Sequence, residues 1–217
     1  MSRFDLVIFD CDGVLIDSER LAIRTESQIL TELGWPLTEA EVVELFVGRS
    51  SVYMQSVIEE KLGRSIDWRG EFERRVREAC EQELLPVDGV IAALDEITVP
   101  SCVASSSGHQ MLDFKLGLTG LLNRFEGRVF SADDVAHGKP DPAVFLFAAA
   151  SMGVAPARCA VIEDSVSGVE AGLAAGMTVF AFSGSVTSAQ DLARDGVVLF
   201  DSMWQLPELL GSDRGSD

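Results

Sequence analysis

The first apolar run of the chain, Leu6-Val7-Ile8-Phe9, is continuous and rich in strand formers, which predicts a buried strand. After Gly13 the apolar positions take helical spacing for roughly seventy residues. Ser18 stands where it would cap a helix running to about Leu33, packed through Leu21, Ile29, Leu30 and Leu33. Gly34-Trp35-Pro36 breaks that helix. A second begins at Thr38 and packs through Val42, Val43, Leu45 and Phe46. A third is predicted from Ser51 to Leu62, ending at Gly63, and a fourth from about Trp68 to Leu85, stopping before Pro86. No strand is predicted within this block.

From Pro86 onward the pattern alternates. A helix from Gly89 to Ile97 precedes a strand from Ser101 to Ala104, and a helix from about His109 to Leu116 precedes a strand near Val129-Phe130. Helix Asp141 to Met152 leads to strand Ala160 to Ile162, and helix Ser165 to Ala175 to strand Thr178 to Phe182. A last helix-strand-helix spans Ser188 to Leu210. Strands alternating with helices imply parallel pairing. The expected fold is therefore α/β, a doubly wound, Rossmann-like parallel sheet built from residues 1–16 and 87–210. Residues 17–86 form an inserted all-helical cap, and 211–217 are expected to be a disordered tail. The two linkers, near Gly13-Ile16 and Pro86-Gly89, permit a hinge, and a hinged lid can exclude water from a reactive site.

A chain of 217 residues that is 47% apolar can bury a sizeable core. No apolar run approaches a membrane span of about 20 residues, and the N-terminus lacks the features of a secretory signal. Cys11, Cys80, Cys102 and Cys159 are scattered without C-x-x-C spacing. Cys11, Cys102 and Cys159 lie in or beside strand-like runs, where free cysteine behaves as a small hydrophobe. All four are expected to be reduced, in a cytoplasmic protein. The formal net charge of −18 opposes binding to nucleic acid or to an anionic membrane.

The chemistry is concentrated at strand ends. Asp10 and Asp12, in Phe9-Asp10-Cys11-Asp12-Gly13, stand two positions apart just after the first strand. Carboxylates there are costly to bury without a cation, and one can attack an electrophile while the other moves a proton. A solvated, helix-capping turn is the plainer reading of such a short match. Three further elements follow in order: Ser105 closes Cys102-Val103-Ala104, Lys139 sits in Gly138-Lys139-Pro140-Asp141-Pro142, and Glu163-Asp164-Ser165 follows Ala160-Val161-Ile162. In open α/β sheets ligands bind outside the carboxyl ends of the strands, so these groups can converge. Taken separately, each has an ordinary structural reading: an acidic pair at a helix N-terminus, a polar Ser105-Ser106-Ser107-Gly108 loop that caps a helix, or a surface lysine in a turn.

The ordered set resembles the four motifs of the haloacid dehalogenase superfamily, over nearly the whole chain from Phe4 to about Leu210. The resemblance implies that Asp10 is a nucleophile that becomes an aspartyl phosphate. It implies a Mg²⁺ ion held by the Asp10 carboxylate, the Asp12 backbone carbonyl and the Asp164 carboxylate, with Glu163 in support. Asp12 would serve as general acid and then general base; haloacid dehalogenases proper lack this second acid, which argues against cleavage of a carbon–halogen bond. Ser105, with the backbone N–H of Ser106, would hydrogen-bond the phosphoryl group, and Lys139 would neutralise its developing charge. The net charge repels anions on average, so local cations must reverse it; one of the chain's three lysines, Lys61, Lys115 and Lys139, falls inside a motif. His109 could face the substrate, although a helix-start histidine is more often a local surface residue, and His137 is expected to be exposed. There is no Ser-His-Asp arrangement to support a serine hydrolase.

Asp17-Ser18-Glu19 is similar to the branch that holds β-phosphoglucomutase and small sugar-phosphate phosphatases. The mutase pattern has a histidine where this chain has Ala22 and an arginine where it has Ser51. Both departures favour a phosphatase. The Gly48-Arg49 loop resembles that of phosphatases acting on sugar phosphates such as 6-phosphogluconate, which makes Arg49 a candidate for a substrate carboxylate or hydroxyls; a solvated arginine is the equal alternative. The expected partner is a small phosphorylated metabolite, with no nucleic acid and no membrane, and the expected state is a monomer. A mutase, or a non-catalytic phosphometabolite sensor, remains open at this level.

Overall fold

The computed structural model describes residues 3–49 and 51–211. The chain divides into two compact units, one of residues 1–17 and 85–217 and the other of residues 18–84.

The larger unit is built on six parallel strands: β1 (Leu6–Phe9), β2 (Ser101–Ser105), β3 (Val129–Ser131), β4 (Cys159–Glu163), β5 (Thr178–Phe182) and β6 (Val197–Phe200). Their order across the sheet is β3-β2-β1-β4-β5-β6. The chain starts in the middle, winds outward to β3, then returns past β1 to wind the other way. The direction reverses between β1 and β4, which is where a doubly wound sheet opens a crevice for ligands. Register fixes what stands at that crevice. Phe9 pairs with Val103 on one side and Ile162 on the other, so Asp10 follows beside Glu163, and its N–H donates to the Ile162 carbonyl at 2.9 Å.

The period-2 rule sorts the side chains of β1 to opposite faces. Leu6 and Ile8 join Cys102, Ala104, Val161 and Val179 in a core covered by Phe145 and Ala148 of one helix and Val169 and Ala171 of the next. Val7 and Phe9 point to the other face, where Phe9 meets Phe125. Both faces are filled, so β1 reads as an uninterrupted apolar run and not as an alternation. The helices of this unit are α5 (Val90–Glu96), α6 (His109–Leu118), α7 (Ala143–Ser151), α8 (Val166–Ala174), α9 (Ala189–Leu192) and α10 (Leu206–Gly211). The four cysteines are all buried.

The smaller unit is helical: α1 (Glu19–Leu33), α2 (Glu39–Phe46), α3 (Ser51–Leu62) and α4 (Arg69–Glu83). Thr38 and Glu41 form a capping box at the start of α2. Trp68 donates its indole N–H to Gln55 at 2.8 Å. Arg24 holds Glu83 through its two terminal guanidinium nitrogens, Nη1 and Nη2, at 2.9 and 2.8 Å, and so ties α1 to α4.

Several expectations change. Ser18 does precede α1, but its backbone is already helical and its side chain makes no capping bond. The fourth helix ends at Glu83, short of Leu85. The strands reach further than their apolar runs, because the hydrogen-bonded ladder continues through Ser105 and Glu163. Gly211, counted with the tail, is the last residue of α10; residues 212–217 lie outside the described residues. Among the described residues no helix is long and apolar enough to cross a membrane.

Phe180 is 1% exposed on β5 and meets the Phe4 ring edge-on at 5.7 Å. Phe180→Ala is expected to lower unfolding free energy by about 3–5 kcal/mol, read from urea denaturation.

Candidate active site

Lys139 is at the centre of the site. It stands in a turn closed by the Asp141 N–H, which donates to the Gly138 carbonyl at 3.1 Å, and it precedes Pro140 through a cis peptide bond. Its side chain is 2% exposed, which removes the surface-lysine reading. The ammonium donates to Asp10 Oδ1 at 2.5 Å, to Glu163 Oε1 at 2.6 Å and to the Ala104 carbonyl at 3.1 Å. Three donors meet three acceptors, one from the end of each of β1, β4 and β2. Burial opposes the charge on Lys139, but Asp10 and Glu163 outweigh it and hold the ammonium protonated.

Glu163 has both carboxylate oxygens engaged. Oε1 takes Lys139, while Oε2 accepts the backbone N–H groups of Asp164 and Ser165 and the Ser165 hydroxyl, each at 2.9 Å. Gly168 makes room for it, since a Cβ there would sit 1.8 Å from Oε1. The helix-N-terminus reading of this acidic pair is therefore also true of Glu163, and Ser165 caps α8 by accepting the Gly168 N–H at 3.1 Å.

Asp10, Glu163 and Asp164 are all buried, and one carboxylate oxygen from each lies within 4.8 Å of the others. Burial pushes the Asp10 carboxyl up to about 7; Lys139 opposes this, and Glu163 and Asp12 add to it. Asp12 is held separately: its Oδ1 accepts from Lys115 at 2.5 Å and its Oδ2 from the Ser107 hydroxyl at 2.9 Å. With all four carboxylates ionised, they exceed the two ammonium groups by two negative charges at one end of the sheet. Oxygen donors, burial and a double negative excess suit a hard divalent cation. Glu163 is fully engaged by the protein, so Asp10 and Asp164 are the carboxylates better placed to hold one. Gly13 (φ +76°) keeps the space: a Cβ there would lie 1.9 Å from Asp164 Oδ2 and 2.9 Å from Ser185 Oγ. A glycine is needed on both counts.

Ser105 is buried at the end of β2, and its hydroxyl oxygen accepts the Ser107 N–H at 3.1 Å. Ser106 is exposed beside it. His109 does not join the acidic cluster. Its Nε2 pairs with Asp134 Oδ1 at 2.9 Å, and its backbone N–H donates to Asp133 at 3.0 Å. That carboxylate, and not the serine loop, covers the start of α6; Ser107 turns its hydroxyl to Asp12 instead. His137 is exposed. Arg49 belongs to the helical unit, exposed, with its guanidinium 5.8 Å from the centre of the Tyr53 ring.

The sequence pattern of the haloacid dehalogenase-like hydrolases matches residues 4–176. The chain belongs to that family. It is 32% identical over 212 residues to the 6-phosphogluconate phosphatase of Escherichia coli (strain K12), across 96% of each chain. A haloacid dehalogenase-like protein from Agrobacterium tumefaciens str. C58 superposes with a TM-score of 0.89 at 36% identity, covering 95% of this chain and 97% of that one. A family hydrolase from Deinococcus radiodurans R1, solved with bound phosphate and sodium, gives a TM-score of 0.82 at 30% identity, covering 95% and 94%.

Within this haloacid dehalogenase-like hydrolase, two residues beside Asp12 were not singled out from the sequence. In the sequence Ser107 belongs to a serine-rich loop that suits a helix cap, and Lys115 is one of three lysines and lies in no motif. A signal for Lys115 exists: it stands three residues after Leu112 and one before Leu116, the two residues of α6 that are buried. A lysine on that stripe needs a partner.

A protonated Asp10 competes with a cation, so divalent-ion affinity is expected to fall as pH drops from about 7 to 5, with proton release on binding. Titration calorimetry in buffers of different ionisation enthalpy measures both. Gly13→Ala is expected to weaken that binding at least ~10-fold, the scale on which disturbing a ligand's support acts; unchanged affinity would contradict the assignment.

Proposed function

We propose that this hydrolase releases phosphate from a small phosphomonoester, a sugar phosphate or phosphorylated sugar acid, through an aspartyl phosphate on Asp10 and with Mg²⁺ as its metal. The observation that carries the reading is the Asp10–Lys139–Glu163 arrangement beside Asp164, at the reversal point of the sheet. The similarity to a 6-phosphogluconate phosphatase over the full length supports the substrate class.

Asp10 is the nucleophile. Lys139 withdraws charge from one of its oxygens and fixes the carboxylate against rotation. Asp10 attacks phosphorus, the bond from phosphorus to the leaving oxygen breaks, and that oxygen takes a proton from Asp12. Water then attacks the phosphorus of the aspartyl phosphate and gives its proton to Asp12, and Asp10 is regenerated. Ser105, with the Ser106 N–H, orients the phosphoryl group, whose transfer needs mostly positioning and charge stabilisation. Mg²⁺, held by Asp10 and Asp164 with the Asp12 carbonyl, would offset the repulsion between carboxylate and phosphate.

Phosphate release from a panel of sugar phosphates and phosphorylated acids, with Mg²⁺ and with EDTA, tests this. Turnover is expected to require the metal and to fall at least ~10³-fold in Asp10→Asn, which is nearly isosteric but cannot act as the nucleophile. Activity of that variant within a few-fold of the parent protein would refute the reading. Asp12→Asn is expected to cost ~10²–10⁴-fold in kcat on sugar phosphates, the usual range for a lost acid–base group.

A further inference from the structure

The geometry points to Lys115 and Ser107 as positioning residues that hold the Asp12 carboxylate in its working orientation, an inference that rests on the acid–base role proposed for Asp12. Each donor takes a different oxygen, Lys115 Nζ at 2.5 Å on Oδ1 and the Ser107 hydroxyl at 2.9 Å on Oδ2. A carboxylate held at both oxygens cannot turn about its terminal torsion without losing one contact. Asp12 needs such restraint. It lies two residues from Asp10 in a tight segment where Leu15 and Ile16 both donate to the Cys11 carbonyl, and the Asp10 charge repels it.

Both donors come from one short stretch that begins at the end of β2. Ser107 is itself fixed: its N–H donates to Ser105 Oγ at 3.1 Å, and its carbonyl accepts the Ser131 hydroxyl at 2.8 Å. The residue that orients the proton carrier thus also bonds the serine assigned to the phosphoryl group. Lys115 approaches from α6 with its side chain only 11% exposed, against 25% for Asp12. Its ammonium is therefore the more shielded of the two groups, while the Asp12 side chain is more accessible to solvent. Two of the chain's three lysines are committed to the two carboxylates of the first motif, Lys139 to Asp10 and Lys115 to Asp12.

The test compares Lys115→Met, Ser107→Ala, Lys115→Arg, Asp12→Asn and the double variant Lys115→Met/Asp12→Asn in the full chain with Mg²⁺. Two probes are used: a sugar phosphate that the parent protein turns over, and 4-nitrophenyl phosphate, whose leaving group departs without a proton. Lys115→Met is expected to lower kcat on the sugar phosphate ~10²-fold, as loss of acid–base catalysis does, with KM within ~3-fold. On the aryl ester it is expected to give a burst of nitrophenolate followed by slow turnover, because the first half-reaction no longer depends on Asp12 and the second still does. Ser107→Ala shifts the same way by a smaller factor, and Lys115→Arg restores most of kcat. The double variant is no slower than Asp12→Asn alone, since residues acting through one group are not additive. A purely structural role would instead lower burst amplitude and add to the Asp12→Asn loss, and that result would overturn the assignment. So would a change confined to KM, or a Lys115→Met enzyme within a few-fold of the parent. If the parent protein itself releases no phosphate from any ester, the phosphatase reading fails and this inference fails with it; turnover in the parent with additive losses overturns this inference alone.

Discussion

The buried ammonium of Lys139 is the constraint on which the site depends. Asp10 directly follows β1 and Glu163 ends the adjacent parallel strand β4, so the pairing of Phe9 with Ile162 sets them side by side. Two carboxylates in a dry place repel each other and favour protonation. One cation between them changes that, and it is supplied by a turn that returns to the sheet between β3 and α7. Such a pair contributes little net stability compared with apolar residues of the same shape, although removing one partner would be costly. Its placement is better understood through chemistry: it fixes a carboxylate at the end of a central strand with its charge partly offset.

Electrostatics explains why the lysines alone do not make an anion site. The chain carries a formal charge of −18, and the two lysines at this end of the sheet are each held by carboxylates. An incoming phosphate would meet a net negative cluster. A bound divalent cation would offset the negative excess of the ionised carboxylates, and it would do so beside Asp164, whose side chain fits only because Gly13 has no Cβ. On the proposed reading, binding of a metal and of a phosphorylated substrate would be linked by one charge balance.

Much of this was legible in the sequence, for identifiable reasons. Continuous apolar runs marked β1, β2, β4 and β5 because both sheet faces are covered, and polar residues at the ends of three of those runs marked the site. The strand ends were misplaced by a residue at Ser105 and Glu163, because a polar side chain at the end of a run looks like a loop until its partners are known. Lys115 and Ser107 were not distinguished because their partner, Asp12, lies about a hundred residues earlier and no local periodicity reports it. Ser18 misled for the opposite reason: the residue type suits a cap, but the backbone there is already helical. The grip of Asp133 on the start of α6 is likewise a long-range contact that the serine-rich loop obscured.

The central position of β1 has a consequence for how the protein is made. The strand is complete at Phe9, yet its neighbours are Ser101–Ser105 and Cys159–Glu163. On a ribosome β1 must wait until Glu163 has emerged before it gains both partners, while contacts such as α1 with α4 join residues closer together. Non-local pairing of this kind slows folding, and an unpaired Leu6-Val7-Ile8-Phe9 is a segment prone to self-association in the interval. The same strand order that sets Asp10 between two neighbours therefore leaves the first strand to be synthesised early and paired late.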